Sequence, residues 1–197
     1  MNKQELVLDN SFEIAILHES AFANFFLTSL GQPFLKVFYE SVLSHSNGVG
    51  VGFFENENLI GFAVGTTKKA GFYTSIAKKN SIKLLVACAP VLIKSPSKII
   101  RLANALRKSN LDNEFDEEAT LLSICINPDY SNRGVGSALL SYFEDKVFLS
   151  AESISLTTDA IDNAKANAFY TSAKYQFIKS FIQGKRKMNL YIKNKND

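Results

Sequence analysis

Short apolar runs rich in β-branched and aromatic residues alternate along this chain with stretches whose apolar side chains recur at helical spacing. The runs at 12–17, 49–54, 59–66, 119–126 and 153–158, with two more near 175–182 and 186–193, predict strands. Glu55–Asn58 is a turn sequence and makes the second and third runs a hairpin. Helical spacing predicts a helix over 20–28, interrupted at Leu30–Pro33. In the helix that follows, Pro33 takes the first position and Phe34, Leu35, Phe38, Val42 and Leu43 share a face; it stops near Ser46–Gly48. Residues 70–109 read as helices, with Ile99, Leu102, Ala103 and Leu106 at i, i+3, i+4 and i+7, and Asp112–Glu118 as an acidic linker. Two more helices are predicted over 134–149 and 163–173. The pattern implies one α/β domain over 1–197: a mixed, mostly antiparallel sheet of six to seven strands flanked by helices, with a helical insertion at 67–117 between the third and fourth strands.

Composition narrows the class. A length of 197 residues suits one domain with a sizeable core, and 16 Phe without any Trp make phenylalanine a main packing residue. Cys88 and Cys125 form neither a disulfide framework nor a metal site, so both are expected as buried thiols in a reducing compartment. Met1–Asn10 lacks the pattern of a secretion signal, and the longest apolar run, Leu84–Ile93, is broken by Pro90 and too short for a bilayer. The expected location is the cytoplasm, and the expected assembly a monomer or homodimer.

The net charge of +3 is unevenly spread. Between Glu57 and Asp112 there is no acid but ten Lys or Arg residues, leaving twelve basic against nineteen acidic elsewhere. Such a block is either a set of solvated helix faces or an attractor for an anionic partner. A nucleotide-linked sugar, a phosphorylated substrate, the phosphates of coenzyme A and an anionic membrane surface all qualify. Nucleic acid is not expected, because Phe72 and Tyr73 do not interleave with the basic residues as a stacking platform would.

The chemistry concentrates in Ser123–Leu140. A β-branched run ends at Asn127-Pro128, a polar loop with Gly134 and Gly136 follows, and a helical pattern then starts. Strand, glycine loop and helix together offer a phosphate the unpaired first amides of the helix and the positive end of its dipole. The spacing excludes a dinucleotide fingerprint, since Leu139 stands at the third glycine position, and no Gly-Lys-Ser/Thr P-loop is present. Ser131-Asn132-Arg133-Gly134-Val135-Gly136 resembles instead the Arg/Gln-x-x-Gly-x-Gly/Ala pyrophosphate loop of the GCN5-related N-acetyltransferase (GNAT) superfamily, with Ser131 where Arg or Gln is usual. Downstream, Asn163, Ala166, Phe169 and Tyr170 resemble that superfamily's Asn-x-x-Ala-x-x-Phe-Tyr, with Lys174-Tyr175 replacing its Gly-Phe.

The resemblance implies a GNAT-like fold in which the fourth and fifth strands splay, and a cosubstrate, acetyl-CoA, without a metal. It implies a cofactor site of Ile124, Cys125 and Ile126 on the fourth strand with Asn132, Arg133, Gly134, Val135, Gly136, Ser137 and Ala138 on the loop and helix start. Asn163 and Asn167 are expected on the cofactor arm, although Asn163 also suits a helix N-cap. A backbone amide of the fourth strand would polarise the thioester carbonyl, and an amine would attack directly, without an acyl-enzyme. Tyr170 is the expected general acid. The base is open: relatives use a Glu near the fourth strand, where this chain has Thr120, preceded by Glu117 and Glu118. Asp129 or a water are alternatives, and His18 and His45 are expected as surface or packing residues. Phe26–Gly31 with Phe34, Leu35, Phe38 and Tyr39 is similar to a subgroup acting on amino sugars, which makes a small, possibly anionic amine the expected acceptor. Peripheral membrane contact through the basic helices, and a CoA-binding module without catalysis, are the alternatives carried forward.

Overall fold

The computed structural model describes residues 1–23, 25–95 and 118–197. Seven strands form one sheet: β1 (Asn2–Glu5), β2 (Gly48–Glu55), β3 (Asn58–Thr66), β4 (Ala119–Ile126), β5 (Ser153–Asp159), β6 (Gln176–Gln183) and β7 (Arg186–Asn194). Their spatial order is β1-β2-β3-β4-β5-β7-β6, and every neighbouring pair is antiparallel except β4–β5. The described helices are α1 (Ser11–Ala21), α2 (Gln32–Leu43), α3 (Phe72–Lys94), α4 (Val135–Val147) and α5 (Ala164–Ser172). This is the expected mixed, mostly antiparallel sheet.

Two cores sandwich the sheet. On one face α4 buries Val135, Leu139, Leu140, Phe143 and Val147 against Val51, Ile60, Leu121, Ile154 and Tyr191. On the other, Ile14 and Leu17 of α1 and Leu35, Tyr39 and Val42 of α2 pack on Phe54, Phe62, Val64 and Cys125, joined by Phe72 and Ile76 of α3. Each large apolar side chain so buried is worth roughly 1.5–3 kcal/mol relative to exposure. Both cysteines are free and buried, as their isolation suggests.

Two expectations at the amino terminus need correcting. Residues 12–17 are not a strand but the body of α1, with Ile14, Ala15, Leu17 and His18 buried at i, i+1, i+3 and i+4 while Phe12 and Ile16 face outward. A six-residue run that is apolar on both faces fits either period, and only packing against α2 and the sheet decides it. The first strand is instead Asn2–Glu5, wholly exposed and paired with β2 from Asn2↔Phe54 to Glu5↔Val51. An edge strand with both faces in water carries no apolar signal. The helix expected over 20–28 is also absent: α1 ends at Ala21, and the next helical turn is Thr28–Leu30. Asn24 and residues 96–117 lie outside the described residues, so the helical stripe expected at Ile99, Leu102, Ala103 and Leu106, most of the expected acidic linker and Glu117 do too.

Candidate active site

The parallel pair β4–β5 holds for only three positions: Ala119↔Ile154, Thr120↔Ser155 and Leu121↔Leu156. Beyond them β4 stays on β3 as far as Gly61↔Ile126, and β5 stays on β7 as far as Asp159↔Met188. The two strands therefore fork, and each presents unpaired main chain to the opening. Side chains lock the closed end, where Thr120 Oγ1 and Ser155 Oγ are 2.9 Å apart and Ser155 Oγ donates to the Ala119 carbonyl at 3.1 Å. Next to the fork the β3–β4 register slips between Val64 and Gly65, leaving Leu122 without a counterpart. Such a bulge bends a strand locally. Ile124 and Ile126 pack toward α4, whereas Cys125 is buried with the α1–α2 core. Burial raises the Cys125 thiol well above its ordinary range, which suits a packing residue and not a nucleophile.

At the open end the chain turns into the glycine loop. Asn127 accepts the Asp129 amide on its side chain at 3.0 Å, and the Tyr130 hydroxyl donates to Glu55 at 2.6 Å, fixing the loop to the β2–β3 hairpin. Asn132 (φ 61°) and Gly134 (φ 75°) both adopt the left-handed conformation, and Gly134 is the N-cap of α4. A Cβ at Gly134 would meet nothing within 4 Å, so glycine serves its φ rather than crowding. Residues 131–134 are exposed, and among the described residues the amides from Asn132 to Ser137 have no protein acceptor. The Arg133 guanidinium lies 5.4 Å from the Tyr130 ring centre. This is a bare row of donors at the start of a 13-residue helix, where the helix dipole favours negative charge.

The second sequence block closes the other side of the fork. Asn163 donates to Thr158 Oγ1 at 2.7 Å and makes no side-chain cap to α5. Asn167 uses its whole amide inside the protein. Its Nδ2 donates to the carbonyls of Asp159 (2.9 Å) and Asn163 (2.7 Å), and its oxygen accepts from Asn189 Nδ2 (2.9 Å) and Tyr191 Oη (2.8 Å). It pins α5 to β5 and β7. Arg186 grips Asp159 with two hydrogen bonds, one from Nε at 2.7 Å, a link across 27 residues that the sequence did not flag. Tyr170 stands half-buried among Phe169, Tyr175 and Tyr191, with ring centres 5.2, 5.9 and 6.3 Å away. Desolvation raises its phenol to about 12.

Glu118 lies at the closed end, immediately before the three paired positions. Its Oε2 is buried without a partner among the described residues, and burial raises its carboxyl, opposed by the neighbouring Ser153 and the charge of Lys69. At about 3.3 Å per strand residue, the paired stretch separates it from the fork. A different polar group reaches the fork. His18, 4% exposed, shares a 2.6 Å hydrogen bond through Nδ1 with the hydroxyl of Tyr39, which is fully buried. Burial raises the Tyr39 phenol, and the neighbouring Ser123, just past the fork, pulls the other way. Burial lowers His18 to about 4, so its imidazole is neutral at pH 7, and its Nε2 has no partner among the described residues. Sequence reading expected His18 as a surface or packing residue and did not weigh Ser123; no local pattern joins residues 18, 39 and 123.

The fork between β4 and β5, the amide row and α5 belong to a fold shared with known proteins. The acetyltransferase (GNAT) family profile matches residues 15–175, and the chain belongs to that family of acyl-CoA-dependent N-acetyltransferases. Its fold matches the alanine N-acetyltransferase of a ribosomal protein from Escherichia coli, at 15% identity and a TM-score of 0.60, covering 98% of this chain and 92% of that one. It also matches an aminoglycoside 6'-N-acetyltransferase complexed with coenzyme A, at 11% identity and 0.64, covering 98% and 97%. A ribosomal-protein-alanine N-acetyltransferase from Brucella melitensis matches at 10% identity and 0.66, covering 98% and 99%. No protein of curated function matches the chain in sequence. Among the described residues there is no cluster of potential metal ligands, and no helix long and apolar enough to cross a membrane.

Proposed function

We propose that this protein transfers an acetyl group from acetyl-CoA to the primary amine of a small molecule, with an amino sugar or nucleotide-linked amino sugar as the favoured acceptor. One observation carries the reading: the fork between β4 and β5 opens toward the row of unpaired amides at Asn132–Ser137. Arg133 through Ala138 would hold the diphosphate, and the main chain of Ile124, Cys125 and Ile126 would hold the arm. From Ile126 to Ser123 β4 spans about 10 Å, which puts the thioester end of an extended arm beside Ser123. An unpaired β4 amide there would stabilise the developing oxyanion.

The amine nitrogen attacks the thioester carbon, the C–S bond breaks, and no protein atom is acylated. Tyr170 donates its hydroxyl proton toward the departing sulfur. A phenol near 12 is a weak acid, but the same dry surroundings raise the basicity of the nascent thiolate, so the difference between the two decides the transfer. Asn163 orders the β5–α5 turn that carries Tyr170, and Asn167 acts as a positioning residue rather than a cofactor ligand.

For the base, the Ser123–Tyr39–His18 chain is preferred over Glu118 because it meets the fork. A proton leaving the tetrahedral adduct would pass by way of Ser123 and the neighbouring Tyr39 to His18 Nδ1, the partner of the 2.6 Å Tyr39 hydrogen bond. Glu118→Gln and Ser123→Ala separate the two routes: the first should leave kcat within about threefold and the second lower it about tenfold or more.

Titration calorimetry with acetyl-CoA tests the carrier, and thiol release against amino sugars, nucleotide-linked amino sugars, polyamines and peptides tests the acceptor. Absence of binding overturns the whole reading. Binding without release of thiol from any amine would make the chain a CoA-binding module.

A further inference from the structure

α3 carries a second apolar face that the core formed by the described residues does not use. Its inner side buries Phe72, Ile76, Cys88 and Leu92, whereas Ile82, Leu85, Val86 and Ile93 are 77%, 56%, 68% and 81% exposed. Steps of three, four and eleven residues keep those four on one side of the 23-residue helix. Isolated exposed apolar residues are ordinary, but a contiguous stripe of four marks a contact surface. Lys78, Lys79 and Lys83 are exposed beside it, and no acid occurs from residue 58 to residue 111. Lys78 and Lys79 also line, with Gly71, Thr74 and Ser75, an open depression at the start of the helix.

We propose that this face of α3 docks on an anionic lipid bilayer, with Ile82, Leu85, Val86 and Ile93 in the boundary between headgroups and acyl chains and the three lysines at the level of the lipid phosphates. Charge selects this occupant. Two copies of the face would bring the lysines of each against those of the other, and a polyanion without an apolar phase would leave the stripe in water. A bilayer surface satisfies both halves, because long lysine side chains reach the phosphates while the stripe sinks below them. Since no described helix is long and apolar enough to span, α3 lies in the plane of the interface. Its inner side packs on the same face of the sheet as α1 and α2, opposite α4. The proposal stands independently of the acetyl-transfer reading.

Co-sedimentation of the full chain with vesicles of phosphatidylcholine, with and without phosphatidylglycerol, tests it. Phosphatidylglycerol should strengthen partitioning on the order of a hundredfold at low salt, the effect expected of three lysines at an anionic surface, and added salt should reverse it. The double variant Ile82→Glu/Val86→Glu should lose the binding while keeping the melting temperature of the parent, since both positions are solvent-facing. Equal pelleting by parent and variant, or no pelleting on the anionic vesicles, overturns the proposal. So does a concentration-dependent dimer in sedimentation velocity that the variant abolishes, which would assign the face to a second copy of the chain.

Discussion

The ring of Phe169 lies 3.7 Å from where a Cβ on Gly136 would stand, so the two sequence blocks that frame the site touch each other. Alanine fits that space at ordinary van der Waals distance. Gly136→Ala should therefore keep or raise stability, by up to about 1 kcal/mol from helix propensity. Its methyl group would nonetheless stand at the amide row, and the affinity for acetyl-CoA should fall about tenfold or more. Calorimetry and a thermal melt on the same sample read both quantities, and unchanged affinity would move the diphosphate elsewhere.

Tyr170→Phe should preserve the ring packing with Phe169, Tyr175 and Tyr191 and remove only the hydroxyl. Steady-state kinetics should show kcat lowered roughly 100-fold, the lower range for loss of a general acid. Acetyl-CoA affinity should stay within about twofold. A matched fall in both would reduce Tyr170 to a wall of the site.

His18 makes the fold acid-sensitive. Its imidazole is near 4 when folded and near 6.5 when unfolded, so the unfolded chain binds more protons between those values. The contribution is complete above about pH 6.5 and is lost as pH falls toward 4, to a limit of about 3 kcal/mol. Denaturant titrations of the parent should lose stability across that window. His18→Gln should flatten the dependence there, and an unchanged slope would place the effect on other groups.

Glu144 of α4 and Lys193 of β7 form an ion pair at 2.7 Å, with side chains only 11% and 14% exposed. Lys193→Met should leave a largely buried carboxylate without its cation and cost about 3 kcal/mol in chemical denaturation. The double variant Lys193→Met/Glu144→Leu should recover most of that loss, because it removes both charges from the interior. Failure of the second change to rescue would show that packing, not charge, dominates at this contact.

The strands from β2 onward were legible because each is a short apolar run bounded by turn residues, and β4 spans the predicted 119–126. The amide row was legible for a different reason. It depends on glycine spacing and a helix start, both local properties of Asn127–Leu140. β1 was not legible, since a polar edge strand is defined only by its partner β2. Residues 12–17 were misread because a brief apolar run has no period of its own.

The sequence by itself determined the order of elements from α2 onward, the glycine loop that opens α4 and the place of Tyr170 on α5, all of which follow from spacings within about fifteen residues. Only the tertiary structure decided where β4 and β5 part, that Asn167 is consumed by β5 and β7, and that His18, Tyr39 and Ser123 meet behind the fork. Those are contacts between segments far apart in the chain. Their existence depends on how two cores close over one sheet, and that closure is set by the sum of many packing contacts, which no local pattern records.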